Sequence, residues 1–263
     1  MNRYLIIFLL LFQSICFSQE KLNELSVMRY SYKTLIVTDK TKPDIKKESI
    51  GFLDISEQLS LFYDSNYYKR LEALFNKHSK SEGNPLNYRP SFSWFVLSDN
   101  NINNNKLYSE ISGFNYMYIE DKNDIHWVIK QELIQWNDFT VQQATTNYGG
   151  REWTVFFTQD IPLNSGPYKF NNLPGFVVKA WDSENHYLFE FLNSQNNTIN
   201  LEVFNLGKHT TRSRDDIQKA LKIDSNKTFY SDLQDKGIQL KGAPSEYLTT
   251  KKGEIQNLIE RDF

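Results

Sequence analysis

Asp182, His186 and Glu190 fall within nine residues, and a histidine beside a carboxylate is the pairing that general acid–base hydrolysis uses. The spacing carries little weight, because 182 and 186 flank a predicted hairpin turn and would approach each other in any such turn. The serines nearby lack a nucleophile-elbow pattern, and the only cysteine is Cys16. His78, His126, His186 and His209 are scattered without HExxH or comparable ligand spacing, and there is no glycine-rich phosphate loop. No metal, cofactor or catalytic residue is assigned from these patterns, which lean away from catalysis. A hydrolase using His186 with a nearby carboxylate stays as the alternative.

The stretch 150–182, GREWTVFFTQDIPLNSGPYKFNNLPGFVVKAWD, is richer. An aromatic strand holding Trp153, Phe156 and Phe157 runs into two proline-bearing turns, Gly166-Pro167 and Pro174-Gly175, after a first proline at Pro162. Pro174 fixes its own φ and Gly175 can take a positive φ, the pairing of a type II turn. Gly166 precedes a proline, where a side chain is restricted. Arg151 could hold an anionic ligand or pair with Asp160 or Glu190. The candidates for ligand or partner binding are therefore Arg151, Trp153, Phe157, Pro162, Gly166, Pro167, Leu173, Pro174 and Gly175. The loop 166–175 is expected to lie against the aromatic strand and wall the one sizeable concavity, with Leu173 and Phe176 turned inward.

These residues resemble the GLPGLI family, exported proteins of Bacteroidetes-type bacteria that are named for this loop and have no assigned activity. The chain supplies Gly150-Arg151, Trp153, Phe156, Phe157, Ile161-Pro162, Gly166-Pro167 and Leu173-Pro174-Gly175. It departs at Asn172, which stands for the first signature glycine, and at Phe176-Val177, which stand for Leu-Ile. Val141 fills a strand position where many members carry cysteine. Asn172 can adopt a left-handed backbone, so the loop is expected to survive. The resemblance is strong over 139–191 and absent over roughly the last 60 residues.

Alternation of apolar and polar residues from Met28 to Ile36 marks a strand with one buried face, and shorter runs near 50–55 and 59–63 continue a meander. Further strands are expected at 94–97, 114–119, 126–129, 139–146, 153–158, 176–181, 187–192 and 199–204, with Asn100–Asn105 as a hairpin tip. A helix capped by Asp64 or Ser65 places Tyr67, Leu71, Leu74, Phe75 and His78 on one face. A second, capped by Ser213, runs to about Leu221. The expected fold is mainly β: a curved antiparallel sheet, half-barrel or sandwich, with one or two short helices. One domain is expected over 19–244, followed by a loosely ordered polar tail over 245–263.

Residues 1–18 read as a secretory signal, with Arg3 before an apolar run and small residues at Cys16 and Ser18. The expected product is exported to the periplasm or beyond and has no stable membrane insertion. Loss of Arg3 takes the formal net charge from −2 to −3, without a basic face, which argues against nucleic acid. With 19 Phe, 15 Tyr and 5 Trp, the chain has enough aromatic surface for a strand-rich core or a stacking cavity. The expected partner is an apolar or aromatic-stacking ligand, or a protein. The first functional reading is an exported, non-catalytic binding or interaction module.

Overall fold

The computed structural model describes residues 24–75, 83–99, 101–235, 237–238, 242, 246, 248 and 257–262. The expected leader and His78 lie outside these residues. Twelve strands form one open sheet: β1 (Glu24–Ile36), β2 (Lys47–Ile55), β3 (Leu59–Asp64), β4 (Phe95–Asp99), β5 (Asn104–Ile111), β6 (Phe114–Asp121), β7 (Val128–Trp136), β8 (Phe139–Tyr148), β9 (Arg151–Thr158), β10 (Phe176–Asp182), β11 (Tyr187–Asn200) and β12 (Thr210–Thr211). Their order is β12-β6-β5-β4-β3-β2-β1-β11-β10-β9-β8-β7. Two antiparallel meanders, β1–β6 and β7–β11, are therefore joined where β1 pairs with β11, and only the two-residue β12 runs parallel to its neighbour.

Eight strands separate β6 from β8 in that order, so a flat sheet would hold them about 40 Å apart at the usual strand spacing. Yet Tyr148 at the end of β8 donates to Glu120 of β6 at 2.8 Å. The sheet must curl until its ends face each other across a concave side. The expected mainly β, curved antiparallel fold is thus observed as an unclosed half-barrel.

The alternation of β1 shows how two faces are built. Tyr30, Tyr32 and Ile36 join a core on the concave side with Trp153, Phe157, Phe176 and Phe189. Val27 joins a second cluster on the other side with Leu61, Tyr63, Phe95 and Phe204. That second cluster lies under α1 (Ser65–Phe75) and a short 3-10 turn, Leu201–Phe204. Asp64 caps α1 by accepting from the backbone of Asn66 and Tyr67 at 2.8 and 3.2 Å. Tyr67, Tyr68 and Leu71 pack inward while Leu74 and Phe75 stay exposed, so the apolar face is rotated from the expected one. α2 (Arg214–Ser225) is capped by Ser213 as expected and runs four residues further; α3 (Phe229–Asp235) follows it.

Other expectations shift. β5 is not among the expected strands: its start falls in the asparagine run, which masks a strand by composition although 104 and 105 already belong to it. Residues 201–204, expected as a strand, turn as a 3-10 helix capped by Asn200. The expected loose tail does not describe residues 257–262, of which Asn257, Ile259 and Glu260 are buried. Its sparse apolar residues concealed that role, because charge pairs rather than apolar periodicity hold it.

Candidate functional site

Two segments fill the concave side: the connection between β9 and β10, and residues 257–262. In the connection, Leu163 and the backbone of Ser165 lead inward, and Ser165 O accepts from Val177 N at 2.9 Å. Gly166, Pro167, Tyr168, Lys169 and Phe170 are all buried, as are Leu173, Gly175 and Phe176, whereas Pro162 and Pro174 are exposed. Phe170 meets the Trp153 ring edge-on at 5.0 Å. The loop does lie on the aromatic strand, with Leu173 and Phe176 inward.

The glycines act differently from the expected turn. Gly175 does not have a left-handed φ, and a Cβ there would sit 2.5 Å from Thr158 O and 3.0 Å from the Phe157 ring. A Cβ on Gly166 would sit 2.5 Å from Phe170 O and 2.7 Å from Val177 Cβ. Both are required by lack of space. The positive φ falls instead on Tyr168, at 57°, an unusual conformation for an aromatic residue. Asn172 does not need a left-handed backbone either: its side chain accepts from Trp127 Nε1 at 2.6 Å and donates to Lys122 O and Ile125 O at 2.8 Å, pinning the β6–β7 connection.

Arg151 pairs with neither Asp160 nor Glu190. Its Nη1 donates to Asp182 Oδ2 at 2.7 Å, and its other nitrogens donate to Ile259 O, Leu258 O and Asn257 Oδ1 at 2.6–3.0 Å. Asp160 caps Thr140 N, and Glu190 faces Lys179. Arg151, Trp153 and Phe157 are almost wholly buried, so no stacking platform is open at the last two. Arg151 is a clamp on the C-terminal segment.

A second cation lies deeper. Lys169, 1 % exposed, donates to Tyr118 and Tyr148 hydroxyls at 2.8 Å, to Glu260 Oε1 at 2.6 Å, and to Glu120. Tyr168 also donates to Glu260, and Tyr118 does so at 2.6 Å. Gln218 Nε2 and Arg214 Nε hold the other oxygen of Glu260 at 2.6 and 2.9 Å. Burial by itself would raise the Glu260 carboxyl, but the charges of Lys169 and Arg214 outweigh it and bring it down to about 2. Burial and the same carboxylates push the Tyr118, Tyr148 and Tyr168 hydroxyls well up, so they stay protonated and donate. Sequence reasoning missed Lys169, Glu120, Glu260, Tyr118, Tyr148 and Arg214, which come from five separate parts of the chain. The only local signal was a lysine inside the proline-bearing loop.

Beside this network opens a concavity of about 390 Å³ between the end of β1, residues 90–94, β5, α2 and residues 257–260. Phe92 and Trp94 stack on one wall at 4.2 Å. Leu221 and Gln218 come from α2, and Lys47 and Ser109 add polar groups. With Gln218 Nε2 committed to Glu260, the buried Gln218 Oε1 has no hydrogen-bond partner among the described residues. None of residues 166–175 lines this space, which corrects the expected wall. The loop reaches a smaller hollow of about 190 Å³ through Asn171. A more open groove of about 590 Å³ crosses Met28, Glu57 and Asn197.

In the grouping of Asp182, His186 and Glu190, each carboxylate has a cationic partner, Arg151 for Asp182 and Lys179 for Glu190. Asp182 Oδ1 accepts from the backbone of His186 and Tyr187 while Oδ2 takes Arg151. His186 Nδ1 lies 3.0 Å from Glu184 Oε2 without hydrogen-bond alignment, and Glu184 is held bidentately by Arg261 at 2.7 and 2.8 Å. Asp182, Glu184 and His186 bring donor atoms within 4.8 Å of one another, but both carboxylates already hold arginines. No helix among the described residues is long and apolar enough to cross a membrane.

No protein-family model matches the chain, and no curated protein matches it. Among solved structures, two of PNGF-II in different crystal forms match with a TM-score of 0.50 at 10% identity. One covers 74% of this chain and 32% of PNGF-II, the other 78% and 36%. The chain thus spans about a third of the length of PNGF-II, and the likeness is one of fold.

Proposed function

We propose that the protein is an exported, GLPGLI-like binding module that takes a small amphipathic ligand in the concavity beside α2. The observation that carries this reading is the lining: Phe92, Trp94 and Leu221 make the space largely apolar beside Gln218, whose buried Oε1 has no hydrogen-bond partner among the described residues. Such a lining suits a ligand with an aromatic or aliphatic body and one hydrogen-bond donor. Export rests on the leader-like residues 1–18, and the family resemblance on the Gly150–Gly175 motif. The hydrolase alternative finds no support in a His186 whose neighbouring carboxylates are taken by arginines.

8-Anilinonaphthalene-1-sulfonate, an aromatic probe with one N–H donor, tests the reading. Its fluorescence is expected to rise saturably at one site, with at least tenfold weaker binding to Leu221→Glu, a change at a partly exposed position. No saturable signal, or equal binding to that variant, would count against the pocket. Cleavage of p-nitrophenyl acetate that disappears in His186→Ala would revive the hydrolase.

A further inference from the structure

Residues 257–262 are held in the manner of a bound peptide. Asn257 bonds Thr38 O through its backbone at 2.8 Å and Val37 O through its side chain at 2.9 Å. Arg151 grips the next two carbonyls. Glu260 enters a cradle of Lys169, Tyr118, Tyr168, Gln218 and Arg214. Arg261 N donates to Gly149 O at 2.8 Å, its side chain reaches Gly150 O and Glu184, and Asp262 takes Arg214 at 2.6 Å.

The receiving surface is made by other parts of the fold. The nearest of these partners in sequence, Gln218 and Arg214, are 42 and 46 residues from Glu260. Gly149 and Gly150 both have positive φ, and a Cβ on either would come within 3.0 Å of Glu260 or Arg261, so the floor is shaped to the segment. The segment is tied to α3 by residues 236–256, which fully extended would reach about 70 Å, enough to enter a neighbouring molecule. A short segment gripped at consecutive carbonyls, with one acidic side chain among fixed cationic and hydroxyl donors, matches the recognition of acidic motifs.

We propose that this cleft is a peptide-recognition groove occupied by the chain's own C-terminal segment, and that a second copy of the chain can fill it with the same Asn-Leu-Ile-Glu-Arg-Asp segment. The tethered segment competes at a high effective concentration, so an external peptide gains access only when the tethered one is weakened. The groove shares residues 257–260 and Gln218 with the small-ligand pocket, and the test below reads the groove with a peptide and no small molecule.

The test titrates a fluorescein-labelled peptide of sequence NLIERDF against the full-length chain by anisotropy. Weak binding to the wild type and at least tenfold tighter binding to Glu260→Ala are expected. The same peptide with alanine in place of its glutamate should lose at least tenfold on Glu260→Ala. If Glu260→Ala does not melt cooperatively, Arg261→Ala, which loses partly exposed contacts, replaces it with an expected gain of about threefold by the same competition. Absence of saturable binding to the folded variant, or equal binding of the two peptides, would overturn the proposal.

Discussion

The β9–β10 connection and the C-terminal segment occupy the same concave side but are held by opposite means. The connection is tied at both ends to neighbouring strands and is fixed by steric fit: Gly166 and Gly175 leave no room for a Cβ, and Phe170, Leu173 and Phe176 fill the core. The segment 257–262 is held chiefly by polar and charged groups, Arg151 on its carbonyls and Lys169 and Arg214 on Glu260, although Ile259 also reaches the core. Lys169 belongs to the first and Glu260 to the second, so their 2.6 Å contact is where the two depend on each other. Burial of an ion pair is tolerable only when every oxygen and proton finds a partner, and this network supplies three tyrosines and a glutamine to that end.

The largest expected effect comes from cutting that contact. Lys169→Met leaves Glu260 and Glu120 sharing one arginine in a buried place, and the loss in a denaturant unfolding experiment should be about 3 to 5 kcal/mol. A loss below 1 kcal/mol would mean that the network is dispensable and the contrast between the two segments unfounded. Gly175→Val comes next: its side chain would overlap Thr158 O and the Phe157 ring, so about 2 to 3 kcal/mol should be lost in the same measurement. A wild-type midpoint would show that the connection is not sterically fixed. The smallest effect belongs to Asn172→Ala, which removes three side-chain hydrogen bonds at a half-buried position and should cost about 1 to 2 kcal/mol. Thermal melting that leaves this variant unchanged would take the β6–β7 clamp away from Asn172.

The same contrast explains what could be read in the sequence. Strand alternation in β1, the caps Asp64 and Ser213, and the inward Leu173 and Phe176 are local signals, and each is observed. The Pro-Gly chemistry of 166–175 located a constrained loop but misassigned its cause, because a forbidden Cβ contact with Thr158 involves a neighbouring strand and leaves no local trace. The fate of Arg151 was open for the same reason: its partners are Asp182 and residues 257–259, which no periodicity links to it. Glu260 looked like part of a polar tail because its five donors come from β6, the β9–β10 connection and α2. Apolar burial announces itself by period, whereas a buried charge announces itself only through partners distant in sequence.

Residues 257–262 are built into the concave side, where 257–260 also wall the candidate pocket. Amide hydrogen exchange of the full-length chain addresses this directly through Asn257 and Arg261, whose N–H groups donate to Thr38 O and Gly149 O. Protection of both, at a level close to that of β9 and β10, is the expected result. Exchange of both at the rate of an unstructured peptide would contradict the clamp, the groove and the pocket together.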